Sequence, residues 1–84
     1  MYAIEYISDL SGLCRTVSEN LRESGIKFIT KGINDYNSST NKIYKAPFTE
    51  FYTDNGLYID HKIGFISVAD IKHMISVYDK QGSY

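Results

Sequence analysis

A two-layer α+β domain is what the sequence predicts, in the order (β)-α-β-β-β-α, with an antiparallel sheet and both helices on one face. Three observations carry the prediction. Asn55-Gly56 joins two apolar runs of period two, the strongest short-range mark of a β-hairpin. Leu10, Leu13, Cys14, Val17 and Leu21 recur at helical spacing, as do Val68, Ile71, Met74, Ile75 and Tyr78. Between the first helix and the hairpin, Ile26-Lys27-Phe28-Ile29-Thr30-Lys31 combines β-branched and aromatic residues in strand alternation.

The first seven residues fit two patterns. Tyr2, Ile4 and Tyr6 alternate as in a strand, while Ala3, Ile7, Leu10, Cys14, Val17 and Leu21 would continue the helix stripe backwards. The strand is preferred, because Ser8 and Asp9 offer an N-cap and Gly12 would weaken a continuous helix by about 1 kcal/mol relative to Ala. The first helix is expected from about Asp9 to Ser24 and to stop at Gly25, with Ile26 folded back on Leu21. A strand then runs to Gly32-Ile33, and if the first strand forms, the two lie parallel through a right-handed crossover. Residues 34–42 are polar and longer than a usual hairpin loop, a connection suited to making contacts, with Tyr36 and Asn37 as its candidates.

A two-residue turn at Asn55-Gly56 pairs Tyr52 with Ile59, Glu50 with His61 and Phe48 with Ile63. Phe48, Tyr52, Ile59, Ile63 and Phe65 then share one face, expected to meet the helices, with Glu50 and His61 opposed in its middle. A three-residue loop would slip this register and divide the apolar set. After the hairpin, Ser67 is the expected N-cap of a second helix over about Val68 to Lys80, with Asp70 in its first turn. A frayed tail is expected over residues 81–84.

At 84 residues one domain is expected, and a net charge of −1 argues against a general polyanion binder. A single cysteine, Cys14, rules out an intrachain disulfide and a cysteine-built metal site, in keeping with the cytoplasm. Neither a basic leader with an apolar core nor a run of ~18 apolar residues occurs, so a soluble protein without a membrane partner is expected. Seven Lys against two Arg, with abundant Ile, Tyr, Asn and Ser, is the residue usage of AT-rich coding, as in a low-GC bacterium or its phages and mobile elements.

The α-β-β-β-α run is similar in topology to the double-stranded-RNA-binding domain. Such domains open their last helix on a lysine cluster, whereas residues 67–71 here hold none and Lys72 stands alone. An order of elements carries no function by itself, and no family is assigned.

Glu50 opposite His61 has the makings of a general base, since a carboxylate beside an imidazole orients it. No nucleophile with a recognisable surrounding accompanies the pair, Cys14 lies on an apolar helix stripe, and neither catalysis, a metal nor a cofactor is expected. The stronger signal is collective. The face predicted to be free of helices gathers Lys27, Lys31, Lys45 and Lys62 around Ile29, Phe51 and Tyr58, against one acid, Asp60. Rings among cations suit recognition, and Lys27, Lys31, Lys45, Phe51, Tyr58 and Lys62 are the predicted partner-binding set. The expected function is a non-enzymatic interaction module that binds and regulates or inhibits a larger macromolecule, a protein first of all. The alternative is single-stranded nucleic acid, with rings stacking on bases. A homodimer through a sheet edge is a further expectation.

Overall fold

The computed structural model describes residues 1–8, 12–33 and 46–81. Among them lie four strands and two helices: β1 (Tyr2–Ile7), α1 (Leu13–Ser24), β2 (Lys27–Gly32), β3 (Phe48–Tyr52), β4 (Tyr58–Ile63) and α2 (Val68–Gln81). The segment 34–42 and its candidates Tyr36 and Asn37 fall outside the described residues, as do Lys45 and the last three residues. The strands form one sheet in the order β2-β1-β3-β4.

The expectation of an antiparallel sheet needs correction. The sheet is mixed: β1 runs parallel to β2, with Tyr2 beside Lys27 and Tyr6 beside Lys31, and antiparallel to β3, with Tyr2 beside Tyr52 and Tyr6 beside Phe48. The cause is the helix between β1 and β2. A chain that leaves a strand, crosses over in a helix and returns to the neighbouring position arrives in the direction it left.

α1 ends where the glycine predicts. Gly25 takes φ 85°, and its N–H donates to the Arg22 carbonyl at 3.1 Å. At its other end the N-cap is Gly12, which has no side chain to bond the first turn. α2 begins on the predicted cap, with Ser67 Oγ accepting the Asp70 N–H at 3.1 Å.

The hairpin combines the expected pairing with an unexpected turn. Phe48 pairs with Ile63, Thr49 with Lys62, Glu50 with His61 and Phe51 with Asp60, as a two-residue turn would require. The tip, however, is a three-residue loop. Thr53 N–H bonds the Leu57 carbonyl (2.9 Å), Gly56 N–H bonds the Thr53 carbonyl (2.9 Å), and Gly56 sits at φ 88°. This is the turn in which a left-handed glycine follows two ordinary turn residues. The extra residue is absorbed by a bulge, since Tyr52 pairs with Tyr58 and leaves Ile59 over.

The core draws on both helices. Val17 and Leu21 of α1 and Ile71 and Met74 of α2 pack with Ala3 of β1, Phe51 of β3, Ile26 and Ile66. Phe28 and Ile59 pack against that cluster from β2 and β4. Phe51 is fully buried, and so is Glu5, whose carboxylate accepts a hydrogen bond from Ser18 of α1. Strand alternation then fixes the two sides of the sheet. Ala3, Glu5, Thr49 and Phe51 face the helices, and Tyr2, Ile4, Tyr6, Phe48, Glu50 and Tyr52 face away.

The predicted parity of the hairpin is therefore inverted. Phe48, Tyr52, Ile63, Glu50 and His61, expected against the helices, lie on the other side, and Phe51 is core rather than outward. Both sides of β3 carry large apolar residues, so alternation within the hairpin cannot choose between them. The pairing of β1 with β3 settles it: on the helix side Ala3 and Glu5 lie beside Phe51 and Thr49, and on the other side Tyr2 and Tyr6 lie beside Tyr52 and Phe48. No helix of the described residues is long and apolar enough to cross a membrane.

Candidate interaction surface

The side of the sheet turned from the helices is built by alternate residues of all four strands. β1 contributes Tyr2, Ile4 and Tyr6, β3 contributes Phe48, Glu50 and Tyr52, and β2 contributes Lys27, Ile29 and Lys31 by parallel register. β4 adds His61 and Ile63. The Ile59 bulge returns Tyr58 to this side as well, so Tyr58 is outward as predicted although the turn that places it is not the predicted one.

The rings form a connected band. Tyr2 and Tyr52 stack at 5.2 Å between centroids with planes 15° apart, and Tyr58 meets Tyr52 edge-on at 5.9 Å. Tyr6 stacks on Phe48 at 5.7 Å, and Phe48 lies 5.4 Å from the His61 ring. These are the separations at which aromatic pairs attract beyond their simple burial. Exposure falls across the band: Phe48 and Tyr6 are buried, Tyr2 and Tyr52 half-buried, and Tyr58 and Ile29 exposed at 52% and 54%. The accessible part of the band is therefore Tyr58, the half-open Tyr2 and Tyr52, and Ile29 between its lysines.

Two hydrogen bonds hold the polar members. Tyr52 Oη donates to Glu50 Oε1 at 2.9 Å, and Tyr58 Oη lies 2.5 Å from His61 Nδ1. Burial, and then the Glu50 side chain that accepts its hydrogen bond, push the Tyr52 hydroxyl far above the usual phenol range. Tyr52 thus remains a donor throughout the working range of pH. Glu50 and His61 do face each other across the strands as the sequence predicts, and each is also held by a tyrosine.

Of the predicted partner-binding residues, Lys27, Lys31 and Tyr58 are brought together on this side, and Lys45 lies outside the described residues. Phe51 is withdrawn into the core. Lys62 is on the helix side, where its Nζ lies 3.9 Å from Asp60 and lines a groove with His73, Met74 and Tyr78 of α2. The band's own aromatic residues on β1, Tyr2 and Tyr6, were not among the predicted set. The signal that finds them is the β1 alternation itself, once β1 is paired with β3. Among the described residues no three His, Cys, Asp or Glu side chains gather as a metal site would need. Compared with protein-family models and with curated proteins, the chain matches none.

Proposed function

We propose that the chain is a small non-enzymatic interaction module that binds a larger protein and regulates or inhibits it, through the sheet face turned from its helices. A phage or mobile element of a low-GC bacterium is the source that the residue usage favours. The observation that carries the reading is the graded band Tyr58, Tyr52 and Tyr2 beside Lys27, Ile29 and Lys31. Half-buried tyrosines held by stacking lose little freedom when a partner covers them, and rings of this kind dominate the energetics of protein interfaces. The lysines at its margin add orientation.

The test is capture from a host lysate by the immobilised full chain, compared with the triple variant Tyr2→Ala, Ile29→Ser, Tyr58→Ala. Loss of an anchor cluster worth about 2 kcal/mol or more lowers retention by more than tenfold. Equal retention by the variant rejects the face. Single-stranded nucleic acid is the second reading, favoured by Lys27 and Lys31 flanking the rings. It is weakened by Glu50 at the centre of the face and by the loss of Lys62 from it. Oligonucleotide binding that falls steeply with added salt would support it, and none at low salt would end it.

A further inference from the structure

Among the described residues the four-stranded sheet ends on β2 and β4, and these two edges differ in what they can accept. We propose that β4 pairs antiparallel with β4 of a second copy across a two-fold axis centred on His61, joining two sheets into one. The pairing uses the edge of the sheet rather than its face.

Charge selects the register. Antiparallel strands related by a two-fold axis through the sheet oppose residues of the same face, so the axis falls on a residue. Centred on Asp60 or on Lys62, a charged residue meets its own copy. Centred on His61, Asp60 of each copy meets Lys62 of the other, twice over. In the single chain these two side chains make only a loose contact, 3.9 Å apart and about half exposed. An exposed pair of that kind stabilises little by itself, but opposite charges directly across strands favour one register over its like-charged alternatives.

Apolar exposure concentrates beside the same strand. Leu57, Ile63 and Phe65 are each more than half exposed. The His61-centred register sets the exposed Ile63 of each copy beside the paired His61 residues on the open face, one on either side, so the seam covers part of that exposure. The backbone is prepared for it. Gly64 N–H bonds the Pro47 carbonyl, so by alternation back along β4, short of the bulge, the peptide groups of Lys62 face β3 and those of His61 turn to the outer edge. There the His61 N–H is held at 2.7 Å by Asp60 Oδ1. On pairing, Asp60 yields that N–H to the second strand and turns to Lys62 of the other copy. The opposite edge lacks this complementarity, since β2 paired with itself about Ile29 sets Lys27 against Lys31 in both halves.

Sedimentation equilibrium on the full chain tests the pairing. A mass approaching twice the 9.6 kDa of the chain is expected as concentration rises. Lys62→Asp and Asp60→Lys each oppose like charges at both contacts and are expected to weaken self-association at least about tenfold, while an equimolar mixture of the two restores a dimer. If Asp60→Lys does not fold by circular dichroism, Lys62→Arg is expected to retain the dimer that Lys62→Asp loses. A wild-type chain that stays monomeric near millimolar concentration overturns the proposal. So does a Lys62→Asp dimer as tight as the wild type, or a mixture of two folded variants that fails to associate.

Discussion

Glu5 is an acidic residue with no exposure to solvent. It is fully buried beneath α1, one carboxylate oxygen accepts from Ser18, and among the described residues neither the other oxygen nor the hydroxyl of Thr49, its neighbour across β1 and β3, has a hydrogen-bond partner. Burial pushes the Glu5 carboxyl above its usual value, and the Ser18 bond offsets only part of that rise. A carboxyl with a raised folded-state pKa holds its proton in the fold more tightly than in the unfolded chain. Its contribution to stability is therefore present below the unfolded value, near 4.5, and lost as pH rises through the folded value. Glu5→Gln removes that dependence, so urea unfolding from pH 4 to pH 8 is expected to show the wild type losing stability relative to the variant as pH rises. A constant difference would place the Glu5 carboxyl at its ordinary value. Thr49→Val removes an unpaired buried hydroxyl and is expected to stabilise by about 1 kcal/mol at neutral pH.

At the scale of elements, legibility followed how local the determining contact is. The Gly25 stop and the Ser67 cap were readable because each is a bond between residues a few positions apart. The four Phe48–Phe51 pairings were readable because they depend on the run lengths either side of Asn55-Gly56. The turn and the Ile59 bulge were not, since a loop one residue longer and a bulge of one residue cancel and leave the same distant pairs. Parity was not readable either, because which face of β3 meets the helices depends on its pairing with β1, some 45 positions away in sequence. The candidate face inherited that limit: Lys27, Lys31 and Tyr58 lie on the open side as expected, Phe51 and Lys62 lie on the helix side instead, and Tyr2 and Tyr6 share the open side without having been expected there. The corrected parity makes a sharp contrast between two aromatic residues. Phe51→Ala is expected to cost about 3–5 kcal/mol in chemical denaturation, as a buried ring does, and Tyr58→Ala about 1 kcal/mol or less. Equal costs would mean that the hairpin faces the other way.

At the scale of the whole molecule, the sheet of the described residues ends on β2 and β4, and the manner in which these two ends are closed decides what the chain becomes at high concentration. An edge that pairs with its own copy about a two-fold axis is used up in a dimer, but a molecule with two such edges has no closed assembly and extends without limit. β4 carries the self-complementary pattern of Asp60 and Lys62, and β2 carries Lys27 and Lys31, exposed on a strand whose other outward residue, Ile29, is apolar. The lysines are then what confines association to one edge. Replacing both by Val leaves an apolar, β-branched edge strand with nothing to repel its copy. Lys27→Val, Lys31→Val is accordingly expected to scatter light strongly and form extended species at concentrations where the wild type does not. Adding Lys62→Asp to that double variant blocks β4 and is expected to reduce the products to pairs joined through β2. Extended species that persist with Lys62→Asp present would mean that growth does not run through β4, and a double variant that remains as small as the wild type would mean that the lysines do not guard the edge.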